Sequence, residues 1–235
     1  MDSDKKIKNL EAGPQVIYED NHLLVVFKPH RLLVQSDASS DPTLFLHLCS
    51  WLKEKYKKPG NVYLGMIHRL DRPAAGLLVF AKTSKGASRL SEQMRSQRIK
   101  KKYQAVVEGM VAEDFGHCVG YLSDPEQGRA QVFESERPDS KRAELTYRVL
   151  ERKKSATWLE IQLMTGRRHQ IRAQMAHLGH PLIGDIRYGG KQVFFEGAIA
   201  LVASQLSIEH PVSQETMDFE VPAELNSVLR YWQGV

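Results

Sequence analysis

The sequence predicts an α+β fold built on a mixed, largely antiparallel central sheet with flanking helices. Three observations predict it. Apolar runs short enough to be strands outnumber helical stretches, several segments alternate with period two, and the strand and helix patterns do not alternate strictly along the chain. The 235 residues are 42% hydrophobic and 26% charged, a composition that excludes disordered and fibrous classes. A chain of this length buries roughly three quarters of its unfolded surface, enough for one sizeable core or two subdomains sharing a sheet.

The elements follow in order. Residues 23–28 (LLVVFK) form an apolar run bounded by Asn21 and Pro29, a buried strand. Pro42 and Thr43 open a helical pattern that carries Leu44, Leu48, Trp51 and Leu52 on one side and stops at Pro59-Gly60. Leu77 to Ala81 is a second strand-length run, after which Ala87, Leu90 and Met94 fall at helical spacing. Three half-buried strands are predicted from alternation, around Tyr103, Ala105 and Val107, then Leu145, Tyr147 and Val149, then Leu159, Ile161 and Leu163. Thr165 is the expected N-cap of a helix carrying Ile171, Met175 and Leu178, which Gly179 ends. Pro222 to Trp232 reads as a final short helix.

Composition also restricts the partners. No apolar run approaches the roughly 18 residues that cross a bilayer, and the charged N-terminus lacks the apolar core of a signal peptide. Cys49 and Cys118 are too few for a disulfide framework or a thiolate zinc site, so a cytoplasmic protein is expected. The net charge is +5, but it is unevenly spread. From Val193 onward Arg230 faces six carboxylates, while basic residues cluster in Arg95–Lys102, Arg137–Arg142, Arg152–Lys154 and Arg167–Arg172. One such cluster is usually a solvated face; four point to a polyanion partner.

Two stretches carry candidate chemistry. In 68–83 (HRLDRPAAGLLVFAKT), Asp71 lies among His68, Arg69 and Arg72 just before a buried strand. Neighbouring guanidinium charge favours the carboxylate, and an ionised, oriented Asp acts as nucleophile or base; a structural ion pair at a strand entrance has the same composition. In 165–190, Arg168 and Arg172 fall four apart on the expected helix, and Arg167, Arg168 and His169 at its start suit a phosphate. His177 and His180 are three apart with no carboxylate-bearing motif around them, so no metal is expected.

Together these stretches resemble the two signature motifs of RluA-type pseudouridine synthases. The first stands here as His68-Arg69-Leu70-Asp71-Arg72-Pro73-Ala74-Ala75-Gly76. The second stands as Gly166-Arg167-Arg168-His169-Gln170-Ile171-Arg172, continuing through Gly179-His180-Pro181, Gly184-Asp185 and Tyr188-Gly189. Tyr103, within Lys101-Lys102-Tyr103-Gln104-Ala105, falls where that family keeps an active-site tyrosine, and a weaker fourth element runs from Leu201 to His210-Pro211. Ala74-Ala75 stands in place of the common Thr-Ser, Arg168 in place of a Thr, and Val202 and Ser204 in place of His and Trp.

The resemblance implies the pseudouridine synthase fold and an isomerase that turns a uridine of tRNA or ribosomal RNA into pseudouridine without a cofactor. It implies a catalytic domain over residues 16–235, two subdomains sharing one sheet, after a short extension (1–15) too small to fold alone. Asp71 is then the catalytic carboxylate, attacking the ribose or removing a sugar proton. Arg172 pairs with it, Tyr103 stacks on the uracil, and Leu201 forms either a wall under the base or simply core. Arg69, Arg72, Arg167, Arg168, His169 and the run Lys100, Lys101 and Lys102 contact RNA. A monomer with no metal is expected. A non-catalytic RNA-binding protein of the same fold is the alternative.

Overall fold

The computed structural model describes residues 14–36, 41–125 and 128–234, so most of the expected N-terminal extension lies outside the described residues. Two compact units form, one from Met1–Ile99 with Ser207–Phe219, the other from Lys100–Leu206 with Glu220–Val235. The class is α+β, as the sequence predicts.

The first unit contains strands β1 (Gln15–Glu19), β2 (Leu23–Lys28), β3 (Gly65–Met66) and β4 (Ala75–Ala81), with helices α1 (Leu44–Lys55) and α2 (Ser84–Arg95). Strand β2 pairs antiparallel with β1 and β4, and β3 pairs with β4. The β1–β2 hairpin closes on Asp20, whose Oδ1 accepts the backbone N–H groups of His22 and Leu23, both at 2.7 Å. Every residue of β2 is buried, which is why the run lacks alternation. Thr43 caps α1 by accepting from the Leu46 N–H, and Thr83 caps α2 by accepting from Gly86. The apolar face of α1 (Leu44, Leu48, Leu52) packs with Leu24, Val26, Leu78 and Phe80. Each such side chain contributes on the order of 1.5–3 kcal/mol.

Glu19, at the end of β1, gives this unit an acid-sensitive clamp. Burial works against its charge, but hydrogen bonds from Lys55, Lys82 and Tyr56 outweigh it and bring the carboxyl down to about 2. Its Oε1 accepts from Lys82 Nζ and Tyr56 Oη, each at 2.6 Å. A carboxyl depressed on folding stabilises the protein above its unfolded value and loses that contribution as pH falls towards its folded value. Stability is therefore expected to drop between about pH 5 and pH 2, and Glu19→Gln should flatten that drop in chemical denaturation measured across the range. An unchanged pH slope would remove Glu19 as its source.

The second unit contains β5 (Lys100–Glu108), β6 (Phe115–Ser123), β7 (Val132–Phe133), β8 (Ser140–Lys153) and β9 (Ala156–Leu163), in the antiparallel order β5–β9–β8–β6–β7. Its helices are α3 (Gln170–His177) and α4 (Ser227–Gln233). Strand β10 (Leu201–Glu209) leaves this unit after Leu206 and ends in the first, where Gln93 of α2 exchanges two hydrogen bonds with the backbone of Glu209. Strand β11 (Thr216–Glu220) pairs with β10. The alternation expected around Tyr103, Leu145 and Leu159 sits in β5, β8 and β9, where Tyr103 faces Ile161 and Ala105 faces Leu159.

One boundary differs. Helix α3 begins at Gln170 and Thr165 is not its N-cap; His169, in the left-handed region at φ 57°, holds that position. The Thr165 hydroxyl accepts from the Glu144 N–H and donates to Gln170 Oε1, which also accepts from the Arg167 N–H. The Gln170 side chain thus caps a folded loop where the sequence suggested a first helical turn. Arg168 is consequently an exposed loop residue and shares no helical stripe with buried Arg172.

Candidate functional site

The Asp71 loop is built around a buried cation. Lys28 ends β2 directly opposite Gly76 of β4, a glycine at φ 129°. Its side chain is 0% exposed, and its ammonium donates to the carbonyls of Pro29 (2.9 Å), Leu32 (2.9 Å) and Arg72 (3.3 Å). The segment after β2 is thereby tied to the residue that follows Asp71. The Arg31 N–H, at φ 68°, also donates to the Arg72 carbonyl, and the Ala74 N–H donates to that of Asp71, closing a turn. Burial pushes Lys28 down to about 7; the charge of Asp71 holds it up and that of Arg72 pulls it down. The His30 ring, pulled by burial to about 4, is neutral near pH 7 and bonds the Pro73 carbonyl through Nδ1 at 2.6 Å.

This changes the electrostatics expected from the sequence. Arg72 places its guanidinium on Asp41 (Nη2 to Oδ2, 2.6 Å), Arg69 is exposed, and the Val79 N–H donates to His68 Nε2 at 3.3 Å. Lys28, a residue sequence reasoning missed, is a buried cation in the field of Asp71. A charged residue closing a wholly apolar strand run was the available signal.

In the second unit, Arg172 is 3% exposed and held side-on by Asp185, Nε to Oδ2 at 2.7 Å and Nη2 to Oδ1 at 2.8 Å. Two parallel charge-assisted bonds fix the plane of the guanidinium. Tyr188 adds a ring whose centroid is 5.0 Å from the guanidinium carbon. The Tyr188 hydroxyl accepts from the Ala130 N–H at 2.7 Å and bonds His169 Nδ1 at 3.0 Å. Asp185 and Tyr188 stand in the sequence only as parts of a motif; neither was singled out as the partner of Arg172. His169 is buried in this cluster, at 7% exposure.

The remaining expected contacts separate. Tyr103 and Leu201 are each 5% exposed. Arg167 is exposed, with Nε donating to the Arg142 carbonyl at 2.9 Å. Lys100 is exposed, Lys101 is half-buried, and Lys102 lies 3.6 Å from Glu160. The basic run is therefore not one surface patch. Ala74 and Ala75, at 1% and 0% exposure, fill buried positions where a hydroxyl would need a partner. His180 bonds the Glu108 carbonyl through Nδ1 at 3.0 Å.

Comparison with known proteins matches residues 22–177 to the family described as RNA pseudouridylate synthase. A ribosomal large subunit pseudouridine synthase D of Vibrio cholerae is 34% identical over 224 residues, covering 88% of this chain and 66% of that protein. The dual-specificity RNA pseudouridine synthase RluA of Haemophilus influenzae is 34% identical over 218 residues, covering 92% of this chain and 95% of that one. Among solved structures, human RNA pseudouridylate synthase domain containing 4 aligns with a TM-score of 0.77 at 20% identity, over 99% of this chain and 97% of that one.

Proposed function

The chain belongs to the RNA pseudouridylate synthase family, and from that premise we propose that it isomerises a uridine of tRNA or ribosomal RNA with Asp71 as its catalytic carboxylate. The observation that carries the assignment is the Asp71 loop, pinned through carbonyls by a fully buried ammonium that lies in the field of Asp71. Such a loop holds one carboxylate in one place.

Isomerisation breaks the bond from uracil N1 to the anomeric carbon, turns the base, joins its carbon 5 to the same carbon and releases the carbon-5 proton, while N1 takes up a proton so that the formula is unchanged. A hydrolase of such bonds commonly employs two carboxylates, one of them to activate water. An isomerase excludes water and retains the detached base, so one suffices. Asp71 attacks the ribose or removes a sugar proton, and Arg172, its plane set by Asp185, holds that carboxylate ionised. Tyr103 keeps the base in place while it turns. The target uridine leaves its stack at a cost of a few kcal/mol, which contacts from Arg69, Arg72, Arg167, Arg168 and the lysines of β5 offset.

Two experiments test this proposal. Pseudouridines mapped in RNA from cells with and without the protein should differ at one or a few uridines, and purified protein should convert such an RNA in excess chelator. No difference in the map, with no conversion by the purified protein, would remove the activity.

Tyr103→Phe is expected to keep RNA affinity and part of the rate, and Tyr103→Ala to lose far more. Stacking of a base on an aromatic ring is worth about 1–3 kcal/mol, and Phe retains most of it. Single-turnover rates check this; equal losses would transfer the role to the hydroxyl.

A further inference from the structure

The three lysines that open β5 read as one basic run, but the strand separates them. Successive side chains on a strand take opposite faces, so Lys101 shares a face with Tyr103, and Lys100 shares the other with Lys102. Lys100 is exposed, Lys102 lies 3.6 Å from Glu160, and Lys101 is half-buried. Its Nζ lies against the loop that precedes α3, where a Cβ added to Gly166 would meet it at 3.4 Å. The missing side chain of Gly166 leaves the amine that space. Burial draws Lys101 below the usual lysine range, the mark of an ammonium withdrawn from bulk water. Two residues along a strand are about 6.6 Å apart, comparable to the separation of a base from the phosphate of its own nucleotide. A half-buried cation on that face acts at short range on one group, and the general attraction of RNA falls to exposed residues such as Lys100.

We propose that Lys101 binds a phosphate flanking the uridine whose base rests on Tyr103, as a contact specific to the reacting nucleotide and separate from the general RNA-attracting surface. The proposal rests on the pseudouridine synthase assignment, and the test keeps the two apart. Wild-type protein is first shown to convert an RNA located by mapping; failure at that step would count against the activity itself. Single-turnover rates at saturating enzyme are then compared for wild type, Lys101→Met, Lys101→Arg and Lys100→Ala, with circular dichroism confirming each fold. Lys101→Met should lower the saturating rate about tenfold or more, with partial recovery in Lys101→Arg. Lys100→Ala should flatten the salt dependence of binding by about 0.7 and lower the saturating rate far less than Lys101→Met does.

The same rates are measured on RNA carrying an uncharged methylphosphonate at either phosphate beside the target uridine. At one of the two positions wild type should lose as much as Lys101→Met loses on normal RNA, and Lys101→Met should lose no more there. A wild-type saturating rate for Lys101→Met overturns the proposal, as do losses that multiply. If Lys101→Met fails to fold, Lys101→Gln takes its place. Wild type alone is also decisive: no loss at either methylphosphonate overturns the proposal.

Discussion

Asp71→Asn is expected to abolish pseudouridine formation, by roughly three orders of magnitude or more, the scale on which loss of a nucleophile or base acts. RNA binding should survive largely intact. An amide is neither nucleophile nor base, and it keeps the shape of the turn that the Ala74 N–H closes on the Asp71 carbonyl. Single-turnover conversion and a binding titration check both halves. Turnover by the Asn protein, once deamidation back to Asp is excluded, would take the chemistry away from Asp71. A second readout comes from Lys28, because the charge of Asp71 holds its ammonium up against burial. Removing that charge should lower Lys28 below about 7, which the titration of its Nζ by nuclear magnetic resonance would detect. An unmoved Lys28 would mean that the two groups do not feel each other.

Arg172→Lys should be the next most damaging change, although it preserves charge. The guanidinium meets Asp185 through two nitrogens at 2.7 and 2.8 Å, and an ammonium on a flexible stem cannot reproduce both bonds. A hydrogen bond to a charged group contributes about 1.5–3 kcal/mol, so a stability loss of that order is expected in denaturant titrations. The rate should fall as well, because a lysine is no longer oriented by Asp185. Asp185→Asn separates the two effects, keeping Arg172 while weakening its clamp. It should lower the rate with partial retention of activity. Wild-type single-turnover rates in Arg172→Lys would show that the planar clamp plays no part in the reaction.

Local signals in the chain accounted for most elements. Strand β2 matches the apolar run, and Thr43 begins α1, because continuous burial and an N-capping hydroxyl act over a few residues. Strand β6 carries no such signal: its two glycines and its partly exposed residues interrupt the pattern, and Tyr147 lies where a Cβ on Gly116 would otherwise sit. The start of α3 departs from the local pattern for a related reason. Thr165 looks like a cap until Gln170, five residues on, claims its hydroxyl.

By itself the sequence determined the α+β class, the positions of the two motifs and the residue types that can carry isomerase chemistry, since these follow from periodicity and from functional groups in fixed order. Only the tertiary structure decided which charges meet. Arg72 neighbours Asp71 in the chain yet bonds Asp41, while Lys28, more than forty residues earlier, reaches Asp71 through its field. Arg172 finds Asp185 across a helix and a turn, and three consecutive lysines part company on β5. The physical reason is common to all of them. A charge in a fold interacts with what burial and pleat bring within a few ångströms, and sequence adjacency sets neither.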